Sequence, residues 1–281
     1  MTELAGGVCV VTGAGAGLGR SMAEAFGSAG MSVVLADVDT DRLAAAEAEL
    51  SDAGVECMTR VVDVRDADAV DLLAAATVER FGGVHVICNN AGVSTMGKQW
   101  EISREDWAYV LGVCLDGVVN GIRSFVPRIL ATYAATGRTG HVVNTASMGG
   151  LLSSGYLGPY AAAKHAVVGL SKGLRVELEG RGVGASVVCP GLMRTEIAEG
   201  MRDHMVASGA RTEEQADAMV VNLRAGMAAQ GMDAAAAAAM VVRAVQADRF
   251  WVLPNGASHL ASVRADLEEL LAAGEEPGAR G

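Results

Sequence analysis

The amino-acid sequence predicts a single α/β domain built on a doubly wound parallel sheet that is flanked by helices. Short β-branched runs alternate with longer Ala-rich amphipathic stretches through the first half of the chain. The composition is rich in small residues, with 36 Gly among 281 residues, which suits close packing of helices on a parallel sheet. No Pro-, Ser- or charge-rich segment divides the chain, so we expect residues 1–281 to form one domain.

Strands and helices are predicted to follow one another in a regular order. β-Branched runs predict strands at 8–12, 33–37, 55–62, 84–89, 141–145, 183–189 and 250–253. Apolar periodicity predicts helices at 18–29, 41–53, 67–81, 104–136, 160–181, 194–230, 233–246 and 262–273. Gly112, Gly117 and Pro127 weaken the longest helix, and residues 274–281 are expected to fray. This alternation favours parallel strands joined by right-handed crossovers.

Composition and charge argue against several classes of partner. The formal net charge is −11 and the Lys and Arg residues are scattered, so nucleic acid is not an expected partner. The five Cys form no Cys-x-x-Cys pair, which argues against disulfides or zinc and favours a cytoplasmic location. The N-terminus lacks signal-peptide features, and the longest apolar run, residues 234–242, is too short for a membrane span. We therefore expect no membrane partner.

A glycine-rich turn follows the first predicted strand and precedes the first helix. Its candidate dinucleotide contacts are Gly13, Gly15, Ala16, Gly17 and Leu18. Glycines let the backbone approach a ligand closely, and the free N–H groups of a helix start suit a pyrophosphate. The Gly-x-x-x-Gly-x-Gly spacing differs from the general dinucleotide fingerprint, so the turn could also be an ordinary loop. Its position between a strand and a helix favours phosphate binding.

The second predicted strand ends at Asp37, which is followed by Val38, and both are candidate cofactor contacts. An acidic residue at this position of such folds accepts hydrogen bonds from the ribose hydroxyls and repels a 2′-phosphate. No Lys or Arg follows Asp37 until Arg42. The position therefore predicts NAD rather than NADP, the alternative being a solvent-exposed loop acid.

Tyr160 and Lys164 are four residues apart near a predicted helix start, which places both side chains on one face. A free phenol has a pKa of about 10, and a nearby ammonium favours its ionised form. Such a pair can exchange a proton with an alcohol or a carbonyl, although it often only decorates a helix. Ser147 adds weight, because it follows a predicted strand at the sheet edge where ligands bind and could polarise a carbonyl.

These motifs resemble those of the short-chain dehydrogenase/reductase family over roughly residues 5–200. The resemblance rests on the Thr12-Gly13-x-x-x-Gly17-x-Gly19 turn, Asp37, Asp63-Val64, Asn89-Asn90-Ala91-Gly92, Ser147, Tyr160 with Lys164, and Pro190-Gly191 with Thr195. It implies a Rossmann-like fold and hydride transfer between NAD(H) and a carbonyl or secondary alcohol. It also implies a homodimer or homotetramer built through helices 104–136 and 160–181.

The resemblance further implies roles for individual residues. Asp63 would bind the adenine amino group, with Val64 packed beside it. Asn90, Ala91 and Gly92 would line the cofactor and stabilise the central sheet. Lys164 would also hold the nicotinamide ribose. Pro190, Gly191, Met193 and Thr195 would contact the nicotinamide side.

The sequence departs from the family pattern in two places. Cys114 occupies a position where the family usually has an Asn that helps hold a proton-relaying water, and a thiol is a poor substitute. Water or a backbone carbonyl could fill the gap, or turnover could be impaired or rerouted; Asn120 should face elsewhere. At the C-terminus, residues 249–255 lead into a further helix and tail at 258–281, which could cap the substrate pocket or join a subunit interface.

Residues 193–230 lie where this family keeps its substrate lid. Candidate pocket residues are Met148, Leu151, Leu152, Met193, Met201, Met205, Met219, Met227 and Trp100. Flexible thioethers fit irregular apolar ligands, which favours a fairly large alicyclic, terpenoid or steroid-like alcohol or ketone. The alternative is that these Met residues only pack helices. Arg194 and Arg202 leave a phosphorylated or coenzyme A substrate open.

Two other functions compete with the oxidoreductase. A catalytically silent dinucleotide-binding regulator or scaffold would keep the fold, and only Cys114 supports it, whereas Ser147, Tyr160 and Lys164 argue against it. A metal-dependent hydrolase lacks clustered ligands in the sequence. The direction of the reaction is not encoded, because the same residues serve oxidation and reduction.

Overall fold

The computed structural model describes residues 2–274, which form a seven-stranded parallel sheet flanked by helices. The strands are β1 (Val8–Thr12), β2 (Ser32–Asp37), β3 (Cys57–Val61), β4 (Val86–Asn89), β5 (Gly140–Thr145), β6 (Val183–Val188) and β7 (Trp251–Val252). They lie in the order β3-β2-β1-β4-β5-β6-β7, and every neighbouring pair is parallel. The strand order reverses between β1 and β4, the place where such sheets bind ligands. The predicted Rossmann-like fold is confirmed.

The helices cover both faces of the sheet. They are α1 (Gly17–Ser28), α2 (Thr40–Asp52), α3 (Ala67–Phe81), α4 (Arg104–Leu111), α5 (Gly117–Thr136), α6 (Gly158–Glu177), α7 (Ile197–Ala207), α8 (Glu213–Gln230), α9 (Ala234–Gln246) and α10 (Leu260–Gly274). Aspartate side chains cap three of them: Asp39 on α2, Asp66 on α3 and Asp233 on α9. Each carboxylate accepts two otherwise unpaired N–H groups of the first turn, which fixes where the helix begins.

Side chains that alternate along the strands divide the core into two layers. Val11 of β1 packs on one face with Phe26 of α1, whereas Val10 packs on the other face with Phe125 of α5. Successive residues of a strand point to opposite faces, so a strand that is buried on both faces must be apolar throughout. This explains the continuous β-branched runs of the sequence.

The long helical stretch predicted at 104–136 is interrupted by one π-helical turn at Gly112–Asp116 between α4 and α5. Gly117 follows this turn, and a Cβ atom there would lie 2.6 Å from Val64 Cγ2, so the glycine allows the loop after β3 to approach the helix. By length and composition, Arg104–Thr136 could cross a membrane, but half of its apolar window is buried in the protein, as in a core helix.

Several predicted elements differ from those observed; among them, the strand predicted at 84–89 spans Val86–Asn89 and the strand predicted at 250–253 spans Trp251–Val252. The helix predicted at 194–230 is broken into α7 and α8, because Gly209 has a φ of +71° and Thr212 forms a capping box that starts α8. The helix predicted at 160–181 spans Gly158–Glu177, and the strand predicted at 55–62 is shortened to Cys57–Val61. Of the predicted frayed tail, residues 275–281 lie outside the described residues.

Candidate active site

A cavity of about 890 Å³ lies at the carboxyl ends of the central strands. It brings together all the predicted site residues except Gly15, namely Gly13, Ala16, Gly17, Leu18, Asp37, Val38, Asp63, Val64, Asn90, Ala91, Gly92, Ser147, Tyr160, Lys164, Pro190, Gly191, Met193 and Thr195. These residues come from the ends of six different strands, β1 to β6, and from helix α6. The parallel order of the sheet places all of those strand ends at one edge.

The glycine turn leaves a space that side chains at its glycine positions would fill. A Cβ atom on Gly19 would collide with the carbonyl oxygen of Gly13, and a Cβ atom on Gly13, which has a φ of +64°, would lie 2.9 Å from Ala91 Cα. The N-cap of α1 is Ala16, which supplies no side-chain cap, and the first turn carries no acidic residue. No side-chain cap or acidic residue of the first turn therefore competes with a ligand for the N–H groups at this helix start. The turn fits the pyrophosphate of a dinucleotide.

Asp37 is held by two backbone N–H groups at the end of β2. Its Oδ2 accepts from Gly15 N at 2.9 Å, and its Oδ1 accepts from Asp39 N at 3.1 Å. Each carboxylate oxygen keeps a further lone pair that could accept from a ribose hydroxyl. Gly15 itself does not line the cavity, and its N–H positions the Asp37 carboxylate; its contact with the cofactor stays a prediction.

Asn90 ties together the ends of three neighbouring strands. Its Nδ2 donates to the carbonyl oxygen of Thr12 at 3.1 Å, and its Oδ1 accepts from Thr145 Oγ1 at 3.2 Å. The Thr12 hydroxyl oxygen in turn accepts the N–H groups of Asn90 and Ala91 at 2.9 and 3.1 Å. These bonds fix the floor of the cavity across β1, β4 and β5.

Asp63 pairs with Arg65, a partner that the sequence analysis missed. Arg65 Nη2 lies 2.6 Å from Asp63 Oδ2, and Arg65 Nε lies 3.0 Å from each carboxylate oxygen. These hydrogen bonds lower the pKa of Asp63. Arg65 also lines the cavity and lies over the Tyr109 ring, 5.4 Å from its centroid. The carboxylate expected to bind an adenine amino group therefore shares its oxygens with a guanidinium.

Ser147, Tyr160 and Lys164 converge at the other end of the cavity. A Cβ atom on Gly149 would lie 3.4 Å from Ser147 Oγ and 3.5 Å from Tyr160 Cε1, so the two side chains flank this residue. Ser147 Oγ accepts from Gly149 N at 3.0 Å, which leaves its hydroxyl proton available to the cavity. Lys164 is 2% exposed, and its Nζ lies 5.6 Å from the Tyr160 ring centroid.

The Lys164 ammonium is held in place by the end of β5. Its Nζ donates to the carbonyl oxygen of Thr145 at 2.8 Å. Cys114 lies close by in the π-helical turn, but its thiol donates to the carbonyl oxygen of Val93 at 3.1 Å and accepts from Val93 N at 3.3 Å. The thiol is thus paired with backbone rather than with the lysine. As expected, Asn120 faces elsewhere, where it donates to the carbonyl oxygen of Val64 at 2.9 Å.

Apolar side chains from several elements line the remaining part of the cavity. The lining includes Met148, Leu157, Leu192, Met193, Ile197, Met201, Leu223 and Met227. Of the other candidates, Met205 and Met219 pack within the α7–α8 cluster, Leu151 and Leu152 pack in another apolar cluster, and Trp100 is 81% exposed. Met201 and Met227 line the cavity and also belong to the apolar cluster that contains Met205, so both alternatives for the Met residues stay predictions.

Tyr109 joins the cavity to the lid segment, residues 193–230. Its ring stacks on His204 of α7, with 4.2 Å between the ring centroids. His204 Nε2 lies 2.7 Å from Oδ1 of the buried Asp106 on α4. Sequence reasoning missed these contacts because α4 and α7 are far apart along the chain. They fix α7 against the body of the domain.

The C-terminal segment closes one wall of the same cavity. Gly191 N donates to the carbonyl oxygen of Pro254 at 2.8 Å, and Asn255 Nδ2 donates to the carbonyl oxygen of Leu192 at 2.8 Å. His259 follows and lines the cavity, another residue that the sequence analysis missed. These contacts place the segment at the wall of the pocket, and both roles considered for it, a cap on the pocket and a part of a subunit interface, stay predictions. Helix α10 beyond it has no buried residue.

Comparisons with known proteins place this geometry among oxidoreductases. The family profile described as "short chain dehydrogenase" matches residues 7–206. A C alpha-dehydrogenase from Sphingobium sp. is 38% identical over 196 residues, which cover 69% of this chain but only 63% of that relative. A 1-deoxy-11-beta-hydroxypentalenate dehydrogenase from Streptomyces exfoliatus is 38% identical over 202 residues, which cover 71% of this chain and 72% of the relative.

Solved structures extend the similarity over almost the whole chain. A short-chain dehydrogenase/reductase from Burkholderia phymatum, crystallised in complex with NAD, has a TM-score of 0.89 and 38% identity, with 97% of each chain covered. A levodione reductase has a TM-score of 0.76 and 28% identity, with 92% of this chain and 99% of that chain covered. The similarity in structure thus includes the C-terminal region that lies beyond the family profile.

Proposed function

This chain belongs to the short-chain dehydrogenase/reductase family of oxidoreductases, and we propose that it transfers hydride between NAD(H) and a secondary alcohol or ketone. The observation that carries the proposal is the convergence of Ser147, Tyr160 and Lys164 in the cavity that also contains the glycine turn and Asp37. When bound there, the dinucleotide accepts or donates the hydride. The residues of the chain must therefore bind the substrate oxygen and manage its proton.

The Tyr160 hydroxyl exchanges the proton with the substrate oxygen. In oxidation it takes the alcohol proton, and in reduction it returns a proton to the carbonyl oxygen. Lys164, whose Nζ is held by the carbonyl oxygen of Thr145 and lies 5.6 Å from the Tyr160 ring centroid, places its positive charge beside the phenol. Ser147 donates its free hydroxyl proton to the same substrate oxygen and polarises it.

NAD is the proposed cofactor because a carboxylate occupies the ribose end of the cavity. Asp37 is fixed by Gly15 N and Asp39 N, so it cannot easily turn away from a ligand. A carboxylate in this position accepts from ribose hydroxyls and repels a 2′-phosphate. The similar Burkholderia phymatum protein was crystallised with NAD, which supports the same choice.

A fairly large, apolar alcohol or ketone is the proposed substrate, of alicyclic, terpenoid or steroid-like shape. The cavity beyond Tyr160 is lined by thioether and aliphatic side chains, among them Met201, Leu223 and Met227. Such a surface binds an apolar body by shape and burial rather than by charge. Two similar proteins are named as a 1-deoxy-11-beta-hydroxypentalenate dehydrogenase and a levodione reductase, which supports an alcohol or ketone as the reacting group.

The proposal extends to the surroundings of the site. Residues 193–230 act as the substrate lid, with α7 and α8 as its two helices. We propose a cytoplasmic homodimer or homotetramer that uses α5 and α6 as its contact surfaces. Within residues 2–274, no group of three or more His, Cys, Asp or Glu residues is placed to hold a metal ion. The protein is not proposed to act on nucleic acid or at a membrane.

Absorbance of reduced nicotinamide, followed with a panel of alicyclic alcohols and ketones, tests the proposal. Tyr160→Phe should lower kcat by about 10²- to 10⁴-fold, because the proton-transferring hydroxyl is lost while the ring remains. NADH binding, measured by fluorescence, should be retained in this variant. Tyr133→Phe is the matched control, because Tyr133 lies near the C-terminal end of α5 and does not line the cavity.

Two outcomes would contradict the proposal. If the wild type binds NADH but turns over none of the panel, the chain is a silent dinucleotide-binding protein. If Tyr160→Phe and Tyr133→Phe have equal activity, the phenol of Tyr160 does not transfer the proton. Tighter binding of NADPH than of NADH would contradict the choice of cofactor alone.

A further inference from the structure

We infer that Glu196, at the start of the lid helix α7, disfavours NADP by holding Arg42 in an ion pair, an inference that rests on the dinucleotide site proposed above. Arg42 lies on α2 at the adenosine end of the cavity, and Glu196 is the residue directly before α7. Both side chains line the cavity. The preference for NAD thus involves a residue of the substrate lid as well as Asp37.

Arg42 lies directly beside the carboxylate that faces the ribose. A Cβ atom on Gly15 would lie 2.9 Å from Arg42 Cβ and 3.0 Å from Asp37 Oδ2, so the two side chains flank the same glycine. A guanidinium close to this carboxylate is the type of group that can accommodate a 2′-phosphate. Proximity alone would therefore make Arg42 a candidate to bind NADP.

The guanidinium of Arg42 is already engaged by two other carboxylates. Its Nε lies 3.1 Å from Asp39 Oδ2, and its Nη2 lies 2.9 Å from Glu196 Oε2. Two carboxylates therefore contact one guanidinium, and the carboxylate of Asp37 lies on the same glycine as the Arg42 side chain. A phosphate monoester carries roughly −1.5 to −2 charges at neutral pH, so it would be repelled by this arrangement.

Glu196 is the carboxylate whose charge can be removed with least effect on the fold. Asp37 positions the glycine turn through Gly15, and Asp39 caps α2 through the N–H groups of Asp41 and Arg42. Glu196 occupies the N-cap position of α7 but forms no side-chain cap. The side chains of its ion pair are 49% and 59% exposed, so the pair adds little to stability and acts mainly on what Arg42 can bind.

Thr195, which is expected to contact the nicotinamide side, directly precedes Glu196 in the sequence. A Cβ atom on Gly17 would lie 3.2 Å from Thr195 Cβ and Cγ2, so the start of the lid packs against the phosphate-binding turn. Glu196 follows and extends to Arg42. The ion pair therefore joins the start of the lid to α2 beside the phosphate-binding turn.

Fluorescence titrations with NADH and NADPH test the inference on the wild type and on Glu196→Gln. The variant keeps the size of the side chain and loses its charge. We expect NADPH to bind about fivefold more tightly than to the wild type, the size of effect that an exposed charge pair can have, with NADH within about twofold. Glu199→Gln is the matched control, because Glu199 pairs with Arg224 at 3.2 Å and does not line the cavity.

A double variant, Arg42→Gln with Glu196→Gln, tests whether the gain acts through the guanidinium. The double variant should lose the gain in NADPH affinity, since no guanidinium remains to meet the phosphate. Unchanged NADPH affinity in Glu196→Gln, or a gain that persists in the double variant, overturns the inference. A wild type that binds neither dinucleotide overturns both the proposed function and this inference. If the wild type is active with NADH and Glu196→Gln does not gain NADPH affinity, only this inference fails.

Discussion

At the adenosine end of the cavity, side chains and backbone bind one another through directional hydrogen bonds, whereas at the substrate end apolar side chains pack from two helices. Asp37 is fixed by N–H groups that follow β1 and β2, and Asp63 is fixed by Arg65 two residues further on. Met201 and Met227 instead come from α7 and α8, which touch the rest of the domain mainly through apolar contacts. The first arrangement suits one invariant ligand, and the second can be reshaped for a new substrate by few substitutions.

The largest effect should follow from the cofactor end, in Gly19→Ala. A Cβ atom there collides with the carbonyl oxygen of Gly13, and neither backbone segment can move without opening the turn. We expect NADH affinity to fall by roughly 100-fold or more, since the N–H groups that meet the pyrophosphate would be displaced. Fluorescence titration measures the affinity, and thermal unfolding reports whether the fold is kept.

Gly169→Ala is the control for this substitution. Gly169 lies exposed within α6, and a Cβ atom there would meet nothing within 4 Å. The same change should stabilise the protein by about 0.5–1 kcal/mol, because alanine favours a helix, and should leave NADH binding unchanged. Equal NADH affinities for Gly19→Ala and the wild type would show that the turn does not bind the dinucleotide and would remove the basis of the comparison.

A smaller effect should follow from the substrate end, where Met201→Ala and Met205→Ala form a matched pair. The two residues lie one turn apart on α7 and are 3% and 1% exposed, but only Met201 lines the cavity. Both variants should lose about 2–5 kcal/mol of unfolding free energy. Only Met201→Ala should raise KM for a large apolar substrate, by about tenfold, since contact with its side chain is lost.

The pair separates packing from substrate contact. A small cyclic ketone, which would not reach the lid, should show similar KM values with both variants. An equal rise of KM in the two variants would mean that α7 acts only through its stability, and that the substrate end is not shaped by Met201. Met201→Val and Met205→Val serve if either alanine variant is unfolded at the assay temperature.

The same contrast explains what the sequence could predict. The glycine turn, Asp37 and Tyr160 with Lys164 were predictable because their spacing depends on local backbone geometry at strand ends and helix starts. The strands were predictable because burial on both faces demands apolar runs. The same local features are expected in other proteins that bind a dinucleotide at the ends of parallel strands.

The remaining features depend on contacts between distant segments. The sequence gives no signal that Glu196 meets Arg42, that His204 stacks on Tyr109, or that His259 reaches the cavity. The spacing of the turn also does not reveal that the Gly15 N–H donates to Asp37. The break between α7 and α8 follows from Gly209 and the Thr212 capping box, whose Thr-x-x-Gln pattern is visible in the sequence and could have located it.

The smallest expected effect concerns acid stability at the charged end. Hydrogen bonds from Arg65 lower the pKa of Asp63 below its usual value of 3.8, so the folded protein keeps this carboxylate ionised at lower pH than the unfolded chain does. Above the unfolded pKa the pair stabilises the fold in full. As the pH falls below 3.8, the unfolded chain takes up the proton first, and this stabilisation is progressively lost.

In Asp63→Asn, the unfolding free energy should therefore fall less steeply as the pH is lowered into the acid range. Urea unfolding at a series of pH values should show the wild type more stable than the variant near neutrality, by less than about 1 kcal/mol because the pair is partly exposed. The two curves should converge as the pH falls through the acid range. Asp116→Asn alters an exposed carboxylate outside this pair. Its unfolding free energy should change between neutral and acidic pH by the same amount as that of the wild type. If the unfolding free energies of the wild type and Asp63→Asn differ by the same amount at every pH, Asp63 stabilises the fold by packing. The charge of Asp63 would then contribute little to stability at the adenosine end.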